Sequence, residues 1–145
     1  MSKQKVANVH WSFWVIAGVG LIFNLLGCVN FLTQMNAETL AAMPEVYRTI
    51  AESRPAWGTA AFALAVFGSL LGCLLLLLRK SAALYVFMAS VIGAIAAQVP
   101  FVGMAGFPVE AWLGWLSQVA VGVFLVWYSR FAESKDWIGQ ETNKQ

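Results

Sequence analysis

The chain has 145 residues, 60% of them hydrophobic and only 11% charged, with a mean hydropathy of +0.71 and a net charge of +2. A soluble domain carries about 25% charged residues, and a disordered chain combines low hydrophobicity with high charge, so both classes are excluded. The basic residues form no stripe, which argues against a nucleic-acid partner.

Four apolar stretches follow one another, at about 11–32, 56–78, 82–102 and 109–128. None holds Asp, Glu, Lys or Arg except Glu110 at the mouth of the fourth. Each is long enough to cross a hydrocarbon core of about 30 Å as a helix, and lipid leaves an open backbone unsatisfied, so helices are expected rather than strands. The first stretch follows Lys3 and Lys5. Its apolar core exceeds that of a signal peptide and no small-residue cleavage site follows, so it is expected to be retained. The predicted fold is all-α: one membrane domain over 1–145, a polytopic four-transmembrane-helix bundle with a short amphipathic helix in the first outer loop.

Placement of Lys and Arg sets the orientation. Lys3, Lys5, Arg79, Lys80, Arg130, Lys135 and Lys144 fall on one side, Arg48 and Arg54 on the other. Both termini, including a tail at about 129–145, are therefore expected in the cytoplasm. The loop at 33–55 and the turn at 103–108 are expected outside. Trp11, Trp14, Trp57, Trp112, Trp127 and Tyr128 sit near the predicted interfaces, as aromatic belts do.

The outer loop is patterned. Leu40, Met43, Tyr47 and Ile50 recur at helical spacing, with Glu38, Glu45, Arg48 and Glu52 on another face. Asn36 is a suitable N-cap, and Pro44 can open a second short helix at its first position. Arg48 and Glu52 are spaced for an i,i+4 pair. Such a segment either lies on the outer leaflet or forms a lid over a site between the helices.

Side chains for ordinary catalysis are scarce. His10 is the only histidine, the spans carry no carboxylate at depth, and no Gly-rich phosphate loop occurs. No cofactor or metal site is expected. Cys28 and Cys73 differ in depth by roughly 18 Å at about 1.5 Å per residue, too far for a disulfide; both read as small packing residues.

Small residues mark helix-packing faces. Gly68 and Gly72 form a G-x-x-x-G on the second span, and Gly93 sits with Ala89 and Ala97 on the third. These faces suit packing inside one bundle, or a homo-oligomer or partner membrane protein. Polar residues inside the spans are Asn24, Asn30, Ser69, Ser90, Gln98, Ser117 and Gln118. Most fall in the outer half, and amides in hydrocarbon need partners. They serve either as glue between helices or, with Trp57, Trp112, Trp115 and Phe101, as an outward-facing pocket. The candidate ligand-binding residues are Asn24, Asn30, Gln98, Gln118, Trp57 and Trp115, suited to a neutral polar small molecule.

Phe23-Asn24-Leu25-Leu26-Gly27 with Asn30-Phe31-Leu32, then Pro55-Ala56-Trp57, Val66-Phe67-Gly68-Ser69-Leu70-Leu71-Gly72, Leu76-Leu77-Leu78-Arg79-Lys80 and Ser90-Val91 with Gly93, resemble a family of small four-helix bacterial inner-membrane proteins. The likeness runs to about Gly93. Some members of that family carry the label "sugar transporter". The resemblance implies the same topology in a bacterial inner membrane. Two functions compete: an accessory, non-catalytic helix-packing protein, or an oligomeric transporter or channel for a neutral polar solute.

Overall fold

A computed structural model describes residues 8–139; Lys3, Lys5 and Lys144, which enter the charge count, lie outside them. The helices are α1 (Trp11–Met35), α2 (Ala37–Ala42), α3 (Glu45–Ser53), α4 (Ala56–Leu77), α5 (Ala82–Gln98) and α6 (Val109–Ser134). A 3₁₀ turn, Val99–Phe101, extends α5. Among the described residues there is no strand. Four helices, α1, α4, α5 with its 3₁₀ turn, and α6, are long and apolar enough to span a membrane. The protein is an all-α four-helix membrane bundle.

Local chemistry sets the ends. The His10 side chain accepts from the Ser12 N–H and caps α1. Asn36 ends α1 and accepts from the Glu38 and Thr39 N–H groups, which opens α2. Pro44, Pro55 and Pro108 each stand at the N-cap of the next helix. Pro44 thus sits one residue earlier than its spacing suggested, and the loop holds two short helices. Arg48 donates to the Ala41 carbonyl at 3.4 Å, where an i,i+4 partner in Glu52 was expected. Pro100 lies within the 3₁₀ turn that closes α5, because proline cannot donate the N–H that an α-helix needs. Gly103 and Gly106 then take φ of 84° and 80° and reverse the chain.

α6 runs six residues past the apolar stretch that ends at about 128. The first six residues of the expected tail, Arg130 and Glu133 among them, are helical. Helix continues there because Ser129 and Ala132 are buried against the bundle. Beyond it, Ile138 is also buried and joins the core.

The helices pack in the order α1–α4–α5–α6, and α1 barely meets α6. The closest approach is α4 on α5. A Cβ on Gly72 would lie 2.6 Å from the Phe87 ring, one on Gly68 3.1 Å from Ser90 Cβ, and one on Gly93 2.9 Å from the Ala61 carbonyl oxygen. All three glycines therefore serve the α4–α5 seam, and that face is used inside the bundle. Without a hydrophobic drive between helices in lipid, such close contact supplies the attraction through dispersion. Ser69 donates to Ser90 at 2.9 Å across the same seam.

The main core lies toward the termini: Phe13 and Ala17 of α1, Cys73 and Leu76 of α4, Phe87 of α5, and Leu125 and Tyr128 of α6. Cys28 and Cys73 are free and buried. Two helix ends meet beneath this core. Arg79, at φ 61°, and Asp136, at φ 56°, occupy the left-handed position after α4 and α6. Lys80 N–H bonds back to Leu75 and Trp137 N–H to Ala132, so both ends are Schellman motifs. Arg79 Nε donates to the Trp137 carbonyl at 2.6 Å, and Gly139 N–H returns a bond to Arg79. The two cationic and polar helix ends are thereby tied together.

Candidate functional site

The half of the bundle facing α2 and α3 is packed less densely. A cavity of about 600 Å³ opens there, walled by α1, α4, α5 and α6 and roofed by Met43, Tyr47, Ile50 and Arg54. Its origin is the gap between α1 and α6. These helices close on each other only lower down, where Phe13 stacks on Tyr128 and where Gln118 Nε2 donates to Asn24 Oδ1 at 3.4 Å. Ile50 is buried, so α3 folds over the opening rather than lying free of the bundle.

The six candidate ligand residues separate into three groups. Asn30, Gln98, Gln118 and Trp115 line the cavity. Asn24 does not line it. It is buried beneath, with its Nδ2 donating to the Gly20 carbonyl at 2.8 Å and to Cys73 Sγ at 3.6 Å. It forms the floor through its bond to Gln118. Trp57 is 55% exposed and stands away from the cavity. Depth along the membrane places it with the others, but its side of α4 faces outward. Phe101 lines the cavity, and Trp112 packs edge-on against Trp115 at 5.7 Å.

Not every polar residue joins this group. Ser117 is exposed and bonds back to the Leu113 carbonyl of its own turn, and Ser69 with Ser90 belongs to the α4–α5 seam. Trp115 Nε1 is satisfied by the Ala94 carbonyl at 2.8 Å, which fixes the indole as a wall. Gln98 is buried, and its Nε2 has no partner among the described residues. An unpaired buried amide is costly and uncommon.

Arg54, Gln34 and Tyr47 also line the cavity, and all three come from the loop segment at 33–55 rather than from the predicted spans. Arg54 enters the cavity from the end of α3. Its Nη1 donates to Gln34 Oε1 at 3.1 Å. Its guanidinium sits 4.6 Å from the centroid of Phe62 and 5.7 Å from that of Phe101, both cation–π distances. Its Nε is buried without a partner. Burial pushes the Arg54 pKa below its ordinary value, and an arginine still keeps its proton at neutral pH. The signal available beforehand was its place: a basic residue directly before Pro55 at a span mouth, on the side with few cations. Glu110 also lines the cavity, from an exposed position at the start of α6.

Among the described residues, no three His, Cys, Asp or Glu side chains gather as a metal site. No family model, curated protein or solved structure matches the chain.

Proposed function

We propose that this protein is a multi-pass protein of a bacterial inner membrane that binds a small molecule in the cavity between α1 and α6. The observation that supports this is the contrast within one bundle. The termini half is filled by aromatic and leucine side chains, whereas the half under α3 holds about 600 Å³ with amides and aromatic rings on its walls. That volume and lining fit the usual range for small-molecule sites. The cavity stops at the Asn24–Gln118 contact, so the arrangement suits binding in one copy. Carrying the ligand across would require α1 and α6 to part at that contact as well.

The test is a thermal-shift panel of sugars, polyols, amino acids and lipid amphiphiles on the purified full chain. A ligand at about 100 times its Kd adds about 2.7 kcal/mol of stability. Gly114 lines the cavity and a Cβ there meets no atom within 4 Å, so Gly114→Phe places a ring at the cavity opening with no clash at its Cβ. At least one compound should stabilise the wild type and lose that effect in Gly114→Phe and Gln118→Leu. A compound that stabilises all three equally would show that it binds elsewhere.

The proposed orientation has both termini in the cytoplasm. A cysteine placed at Ala42 should react with a membrane-impermeant maleimide added to intact cells, and one at Ser81 should not. Cys28 and Cys73 are buried and give little background. The opposite labelling would invert the topology.

A further inference from the structure

We propose that the cavity takes the headgroup of an anionic amphiphile, with its oxyanion against Arg54 and Gln98 and its apolar chain leaving between α1 and α6. This rests on the binding reading above and narrows its ligand, which the amides alone suggested to be neutral.

Among the described residues Arg54 is a cation without a counter-ion. Its one hydrogen bond among them goes to a neutral amide, Gln34, and Phe62 and Phe101 offer ring faces that steady the charge yet leave the buried Nε–H unmet. Taking a charge from water without a paired partner is costly. Gln98 is only 7% exposed, lines the same cavity, and holds a second unmet donor in Nε2. Two unsatisfied N–H groups, one from the roof and one from the α5 wall of the same cavity, call for an acceptor, and the guanidinium makes a charged oxygen the favoured one, since such bonds are about twice as strong as neutral ones. Carboxylate and phosphate share this chemistry. Glu110, exposed at the rim, disfavours a ligand with several negative charges.

The apolar chain is inferred from the opening. Leu26 lines the cavity yet is 64% exposed, and Gly114 opposite it on α6 leaves open space. The gap between α1 and α6 therefore opens sideways, and the surface around these spans faces lipid.

Native mass spectrometry of the full chain in a neutral maltoside detergent tests this, with phosphatidylglycerol, diacylglycerol, oleate and inorganic phosphate as probes; diacylglycerol has the same chains and no oxyanion. The wild type should retain one phosphatidylglycerol or oleate at least about tenfold better than diacylglycerol. Retention of phosphatidylglycerol alone identifies a lipid phosphate as the oxyanion, and retention of oleate alone identifies a carboxylate. Arg54→Gln should erase the preference, and Arg54→Lys should keep part of it, which separates lost charge from lost fold. Gln98→Leu should weaken binding several-fold. Retention of diacylglycerol equal to that of phosphatidylglycerol and oleate, or a preference that survives Arg54→Gln, overturns the assignment. Inorganic phosphate that competes as well as phosphatidylglycerol overturns the role of the chain. If all three lipids bind equally and Gly114→Phe abolishes their binding, the cavity reading stands and the oxyanion falls. If no adduct responds to Gly114→Phe, both fall together.

Discussion

Gly93→Leu should strongly destabilise the bundle. A Cβ at this position would meet the Ala61 carbonyl oxygen at 2.9 Å and the Ala65 nitrogen at 3.2 Å. These are backbone atoms of α4, and no side-chain rotation relieves the clash. The helices must separate, and separation undoes the dispersion contact along the whole α4–α5 seam. Overpacking a core ordinarily costs about 1–3 kcal/mol, and a leucine against backbone should reach at least the upper end. Gly72→Ile should follow closely, because its Cβ would overlap the Phe87 ring at 2.6 Å. Gly18→Ile makes a matched control, since a Cβ there meets nothing within 4 Å. Unfolding in mixed micelles, followed by helicity against denaturant, should rank Gly93→Leu as least stable, then Gly72→Ile, with Gly18→Ile near wild type. Wild-type stability in Gly93→Leu would mean that α4 and α5 do not approach as closely as described.

Phe13→Ala should remove about 3 kcal/mol or more, the usual cost of losing a buried phenyl ring. Phe13 is fully buried where three parts of the chain converge. Its ring stacks on Tyr128 at 6.3 Å and meets Trp137 edge-on at 6.1 Å. Removing it therefore loosens α1 from α6 and undermines the segment after α6 that carries Trp137 and Ile138. Two readouts should move together. The unfolding midpoint should fall, and trypsin should cut after Lys135 faster than in the wild type. A lowered midpoint with unchanged cleavage would show that the Arg79–Trp137 bond holds the segment by itself.

The four spans and their approximate ends were legible from the sequence, because lipid enforces length and apolarity on each helix separately. The small-residue faces were legible too, since Gly68, Gly72 and Gly93 fall three or four positions from other small residues. Their partner was not. Periodicity puts residues on one face of a helix and is silent on which neighbour that face meets. The candidate pocket was half legible. Gln98, Gln118, Asn30 and Trp115 meet at one cavity, but depth along the membrane normal cannot give rotation about the helix axis, so Trp57 turns outward and Ser117 faces away. Asn24 goes to the floor for the same reason. Apolarity bounds the fourth span at about 128 but not the helix, and α6 runs on to Ser134 because Ser129 and Ala132 keep packing.

By itself the sequence determined a membrane protein with four helices and a lopsided distribution of basic residues, since these depend on composition summed along one segment at a time. The tertiary structure decided what those helices enclose. Glycines draw α4 against α5, large aromatic side chains fill the termini half, and α1 and α6 are left apart near the loop. Only that three-dimensional arrangement brings Arg54, from outside the spans, into one cavity with Gln98 and Gln118. Cavities and unmatched charges arise from how segments fit together, and no single segment carries that information.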